Sequence, residues 1–121
     1  MNLRGLFEHA DNIREYRAGT TLFKEGTPGD EMYIILDGDV ELSIGDKILA
    51  VVGAGDIVGE MALIDLRARS ATAVAKTDCR VVPVNENRFL LLVQQTPFFS
   101  LHVMRVLAER LRQMDARQGS K

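Results

Sequence analysis

The sequence predicts a mainly β domain, a sandwich or barrel, with one short helix before it and two helices after it. Three observations carry this expectation. Short apolar runs recur between Ile13 and about Val84, each closed by Gly or Asp. Val40-Glu41-Leu42-Ser43-Ile44 alternates apolar and polar residues, the period of a half-buried strand. Beyond Asn85 the apolar residues return at three- and four-residue steps, the period of a helix.

Leu3 to Ala10 reads as a short helix with Leu3, Leu6, Phe7 and Ala10 on one face. The strand region, about 13–84, then runs through Tyr16, Thr21-Leu22-Phe23, Met32-Tyr33-Ile34-Ile35-Leu36, Val40 to Ile44 and Ile48 to Val52. Between these lie Arg17-Ala18-Gly19, Glu25 to Asp30, Asp37-Gly38-Asp39, Gly45-Asp46 and Gly53 to Asp56, all turn chemistry. Asp37-Gly38 in particular predicts a hairpin. Asn85 is placed to cap a helix over about 85–95, whose run Phe89 to Val93 predicts burial. Thr96-Pro97 breaks it, and a longer helix follows over about 97–116. Ser100, Met104, Leu107, Leu111 and Met114 form a seam along that helix. The seam is read three ways: packed on its own barrel, a homodimer contact, or a lid over a ligand.

With 121 residues and 46% hydrophobic content, the chain fits one domain over 1–121 with a genuine core. A net charge of −2 with no basic stripe argues against a nucleic-acid partner. No DNA-reading domain is expected within residues 1–121. No run approaches the roughly 20 apolar residues of a membrane span, and no secretory signal opens the chain, so the expectation is a cytoplasmic protein. The single cysteine, Cys79, lies in an apolar run and is expected in the core. His9 and His102 lie far apart in predicted helices, so a metal-binding barrel is not expected. No nucleophile, base or paired-carboxylate arrangement points to an enzyme.

Chemistry concentrates between Asp56 and Val74. Gly59 allows close backbone approach, and Glu60 to Ile64 reads as one helical turn whose free N–H groups favour an anion. After a short loop, Arg69 enters a strand with Ala71, Ala73 and Ala75 on one side and Ser70, Thr72 and Val74 on the other. An arginine entering a half-buried strand needs a partner; Glu60 is one candidate and a bound phosphate the other. A carboxylate at the same place would accept hydrogen bonds from sugar hydroxyls. The combination predicts a cradle for a phosphorylated sugar.

Gly59-Glu60-Met61-Ala62-Leu63-Ile64 followed by Arg69-Ser70-Ala71-Thr72 resembles the phosphate-binding cassette of cyclic-nucleotide-binding domains. Gly19 to Gly26, Gly29 to Gly38 and Gly55 to Glu60 are similar to other parts of that family, and the likeness extends over about Phe7 to Ala116. The resemblance implies a β-roll, or jelly-roll barrel (a double-stranded β-helix), acting as a sensor of a cyclic nucleotide, cyclic AMP over cyclic GMP. It implies Arg69 on the cyclic phosphate with backbone N–H groups of Met61, Ala62 and Ala71, Glu60 on the ribose 2′-hydroxyl, and Ser70 near the phosphate or base. It implies an apolar floor under the purine from Leu42, Leu49, Ala50 and Val58, with the last helix closing over the base. In the bacterial catabolite activator branch of the family a Thr and a Ser on that helix contact adenine; the matching positions here are Met114 and Asp115, which leaves Met114 to cover the purine by apolar contact. The alternative is a relative that keeps the barrel without the nucleotide and senses another ligand or binds proteins. Such relatives lose the cassette Glu or Arg; both stand here.

Overall fold

The computed structural model describes residues 3–64 and 68–117, the side chains of 113–117 excepted. Helix α1 (Leu3–Phe7) comes first. Strands β1 (Arg14–Tyr16), β2 (Thr21–Phe23), β3 (Glu31–Asp37), β4 (Val40–Ile44), β5 (Lys47–Val52) and β6 (Ile57–Val58) follow. A single turn, α2 (Met61–Ile64), precedes β7 (Thr72–Ala75) and β8 (Cys79–Asn85). Helices α3 (Glu86–Gln95) and α4 (Pro97–Arg117) come last.

The strands form two antiparallel sheets, β1-β8-β3-β6 and β2-β7-β4-β5, rolled face to face. This is a β-roll with flanking helices. Asp37-Gly38 does not close the expected hairpin. β3 pairs with β8 and β6, whereas β4 pairs with β5 and β7. The turn therefore carries the chain from one sheet to the other. Gly38 sits at φ +94°, and a side chain there would overlap the Asp78 carbonyl. Asp37 is pinned by Arg4 at 2.9 Å and by Arg80 Nε at 2.6 Å, which ties this corner to α1 and β8. The hairpin that does form is β4–β5, closed around Gly45-Asp46 with Ile44 opposite Lys47.

β3 explains why its apolar run is unbroken. Met32, Ile34 and Leu36 face one core cluster, shared with the helices; Tyr33 and Ile35 face a second, between the sheets. A strand buried on both sides has no polar face to show. β8 divides likewise, with Val82 and Val84 toward the helices and Val81 toward the other sheet. Cys79 is buried beside Val81, and burial pushes its thiol pKa up, so it is a core residue.

The helices depart from expectation in which residues they bury. On α1, Leu3 and Phe7 are buried and Leu6 is exposed. Asn85 caps α3 by accepting from the Arg88 N–H at 2.9 Å, yet within Phe89 to Val93 only Leu92 is buried, Phe89 and Val93 are half-buried against the core, and Leu90 and Leu91 face outward. On α4 the face toward the roll carries Phe99, Val103, Val106 and Leu107. Phe99 packs edge-to-face on Phe89 at 5.7 Å between centroids and tilts against Phe7 at 6.5 Å. Burying one such ring is worth about 1.5–3 kcal/mol. The expected seam divides, with Leu107 packed on the roll. Met104 and Leu111 are exposed, and the Ser100 hydroxyl bonds the Pro97 carbonyl of its own helix at 2.8 Å. Among the described residues, no helix is long and apolar enough to cross a membrane.

Candidate functional site

A cavity of about 420 Å³ lies between the β4–β5 hairpin, the segment from Gly59 to Ile64, the residues around Arg69, and α4. That volume falls in the range of small-ligand sites. Of the positions expected from sequence, Leu42, Leu49, Gly59, Glu60, Met61, Ala62, Arg69, Ser70 and Ala71 line it. Val58 does not. It pairs with Tyr33 and points between the sheets, fully buried in the second core cluster. Ala50, opposite Leu42 on β5, also lies outside the lining. The Met114 and Asp115 side chains lie outside the described residues.

Glu60 and Arg69 are the buried charged residues among those described, at 4% and 5% exposure. Their partners differ. Glu60 is held by Arg110 of α4, whose Nη1 donates to Oε1 at 3.0 Å and Oε2 at 3.1 Å. The same guanidinium donates through Nη2 to the Ile57 carbonyl at 2.6 Å. Arg69 donates through Nη1 to the Gly59 carbonyl at 3.2 Å, and its Nε is buried without a hydrogen-bond partner. The Gly59 carbonyl also accepts the Ala62 N–H at 3.2 Å. Gly59 holds φ +78°, a left-handed conformation that turns this carbonyl toward both donors. The backbone around Arg69 is fixed by two bonds to the turn after β2, Gly26 N–H to the Arg69 carbonyl and Arg69 N–H to the Thr27 carbonyl, each 2.8 Å.

The guanidinium of Arg69 packs on aromatic faces, with Cζ 4.3 Å from the Phe23 centroid and 5.7 Å from that of Tyr33. The other walls are apolar and include Leu42, Ile44 and Leu49 from the hairpin and Leu107 and Leu111 from α4. One end of the cavity is therefore cationic and polar, the other greasy. Among the described residues no cluster of three or more His, Cys, Asp or Glu is placed to hold a metal ion.

Phe23, Ile44, Ile64, Leu107, Arg110 and Leu111 line the cavity without having been singled out as ligand contacts. Leu107 and Leu111 did stand in the seam read partly as a lid. Arg110 sits three residues after Leu107, on the same helical face, and that spacing is the one signal that could have found it.

Known proteins match this chain in sequence and in fold. Residues 13–96 match the family described as "Cyclic nucleotide-binding domain", and the chain belongs to that family. It is 32% identical over 103 residues to the CRP-like cAMP-activated global transcriptional regulator of Mycobacterium tuberculosis, covering 81% of this chain and 46% of that protein. It is 38% identical over 81 residues to the cAMP-dependent protein kinase regulatory subunit of Aspergillus fumigatus, covering 65% of this chain and 20% of that one. The crystal structure of the Thermus thermophilus catabolite activator protein superposes with a TM-score of 0.77 at 31% identity, over 88% of this chain and 53% of that chain. The chain spans about half the length, or less, of these three relatives.

Proposed function

We propose that the cavity binds a cyclic nucleotide, cyclic AMP in preference to cyclic GMP, and that the chain is a regulatory sensor module. The observation that carries this reading is Arg69: a cation 5% exposed, lining the cavity, with a buried Nε that has no partner. A buried, partly unsatisfied guanidinium is costly unless an anion completes it. Arg69 and Arg110 against Glu60 leave a surplus of one positive charge at the polar end. That charge suits the single negative charge of a cyclic phosphodiester.

In this reading the phosphate oxygens take the donors now spent on the Gly59 carbonyl, namely Arg69 Nη1 and the Ala62 N–H. Glu60 accepts the ribose 2′-hydroxyl on a lone pair left free by Arg110. The purine lies on Leu42 and Leu49 under Leu107 and Leu111. An apolar base site favours adenine, which carries fewer polar groups to strip of water than guanine. Several relatives are named for cyclic AMP.

The sensing follows from Arg110. It joins α4 to the carboxylate that receives the sugar, so occupancy changes the contacts of the helix directly. A ligand shifts such an equilibrium by its differential affinity, on the order of 1–3 kcal/mol. We further propose that two copies pair through α4, where Leu101 and Met104 are exposed outside the cavity lining.

Isothermal titration calorimetry with cyclic AMP tests the reading. One site per chain is expected, at micromolar affinity or tighter on the usual scale, with cyclic GMP competing more weakly. No heat with either nucleotide would leave the roll as a nucleotide-free interaction module.

A further inference from the structure

We infer that Phe23 is a positioning residue for anion binding: its ring, backed by Tyr33, is the seat that holds the Arg69 guanidinium at the cavity wall. This rests on the reading of Arg69 as the phosphate ligand. The polar tethers of Arg69 are weak. Its bond to the Gly59 carbonyl is 3.2 Å, longer than the roughly 2.8 Å of a strong charge-assisted bond, and Nε has no partner. Packing does the holding instead. Phe23 and Tyr33 are stacked at 6.0 Å with 13° between planes, and the guanidinium lies over both. Tyr33 is itself fixed, donating from its hydroxyl to Glu31 at 2.9 Å, while Arg14 donates to the same Glu31 oxygen at 2.8 Å. Gly29 and Gly59 close the sides. A methyl group at Gly29 would overlap Nε and Cζ of Arg69, and one at Gly59 would come within 2.6 Å of Nη1. A cation held over an aromatic face is attracted by the ring without spending any hydrogen-bond donor on it. An aromatic seat therefore orders the side chain without consuming the donors that a phosphate needs.

The test is calorimetric titration of the full chain with cyclic AMP, with folding of each variant checked by circular dichroism. Phe23→Leu keeps the apolar bulk and removes the quadrupole, and is expected to weaken binding about 3- to 10-fold. Phe23→Tyr restores a ring and is expected to bind within about twofold of the parent. Gly29→Ala removes no charge and no ring, but pushes the guanidinium off its seat, and is expected to weaken binding at least as much as Phe23→Leu. In an Arg69→Ala background, Phe23→Leu should cost nothing further. Undiminished binding by Phe23→Leu or by Gly29→Ala, a Phe23→Tyr loss equal to that of Phe23→Leu, or an equal Phe23→Leu loss without Arg69 would overturn the inference. Should Phe23→Leu fail to fold, Gly29→Ala and Phe23→Tyr decide it. If the parent binds cyclic AMP and Arg69→Ala weakens it while the Phe23 variants are silent, the seat alone fails. If the parent binds neither cyclic AMP nor cyclic GMP, the reading of the cavity fails and the seat falls with it.

Discussion

Arg110 on the last helix closes on Glu60 at 3.0 Å, across a sequence separation of 50 residues. The contact is largely buried: the two side chains are 12% and 5% exposed. It joins the helix that covers the cavity to the carboxylate at its polar end. Each therefore depends on the other for position.

The first prediction concerns this pair. Arg110→Met leaves the Glu60 carboxylate buried without its cation, which costs about 3–5 kcal/mol. Thermal denaturation without ligand should show a clear fall in Tm. Adding Glu60→Gln should recover part of the loss, since the orphaned charge is gone. A single variant as stable as the parent would mean that the pair contributes nothing to the empty protein.

Arg69 should behave in the opposite sense. Its burial is only partly compensated by hydrogen bonds. Arg69→Met swaps a buried cation for an apolar side chain of similar length, so the empty protein should hold its stability or gain slightly. Cyclic AMP affinity should fall by about 1.5–3 kcal/mol, the worth of a charge-assisted bond. Calorimetry and denaturation on the same sample separate the two effects. A large loss of stability with binding intact would make Arg69 a structural residue.

A third expectation concerns association. Met104 is exposed on α4 and does not line the cavity. If α4 pairs with its copy, sedimentation should show a concentration-dependent dimer that Met104→Glu abolishes. A parent that stays monomeric at high concentration removes α4 as a dimer contact.

Alkaline pH supplies a fourth. Burial, and then the hydrogen bond to Glu31, raises the pKa of Tyr33 well above its ordinary value of 10.0. The folded protein keeps the phenol protonated where the unfolded chain releases the proton. The stability linked to Tyr33 is thus fully present below about pH 10 and is lost as pH rises beyond it. Urea unfolding at pH 9 and pH 11 should show a steeper decline for the parent than for Tyr33→Phe. Equal declines would mean that Tyr33 titrates alike in both states.

Much of the roll was legible in the residues because its signals are local. The alternation in β4, the turn at Gly45-Asp46 and the Asn85 cap each act within a few residues of themselves. Asp37-Gly38 misled because a turn sequence specifies its own dihedral angles and not which strands its arms will join. The seam of α4 stayed open among three readings because an apolar row at helical spacing does not say which of two neighbouring faces is buried. Phe99 and Val103 won the buried one by fitting between α1, α3 and the roll.

By itself, then, the sequence determined β2 to β5, the two C-terminal helices and the cassette motif beginning at Gly59, since these are written in neighbouring residues, whereas α1 stops at Phe7, short of the expected Ala10. The tertiary structure alone decided that Arg110 pairs with Glu60, that Phe23 and Tyr33 lie under Arg69, and that Val58 points away from the cavity. The reason is physical. Arg110 on a charged helix resembles Arg105 and Arg112 until the helix packs, and a strand buried on both faces does not announce which side each residue takes. Those choices are made by long-range packing, where burial turns an ordinary arginine into a partner for one carboxylate.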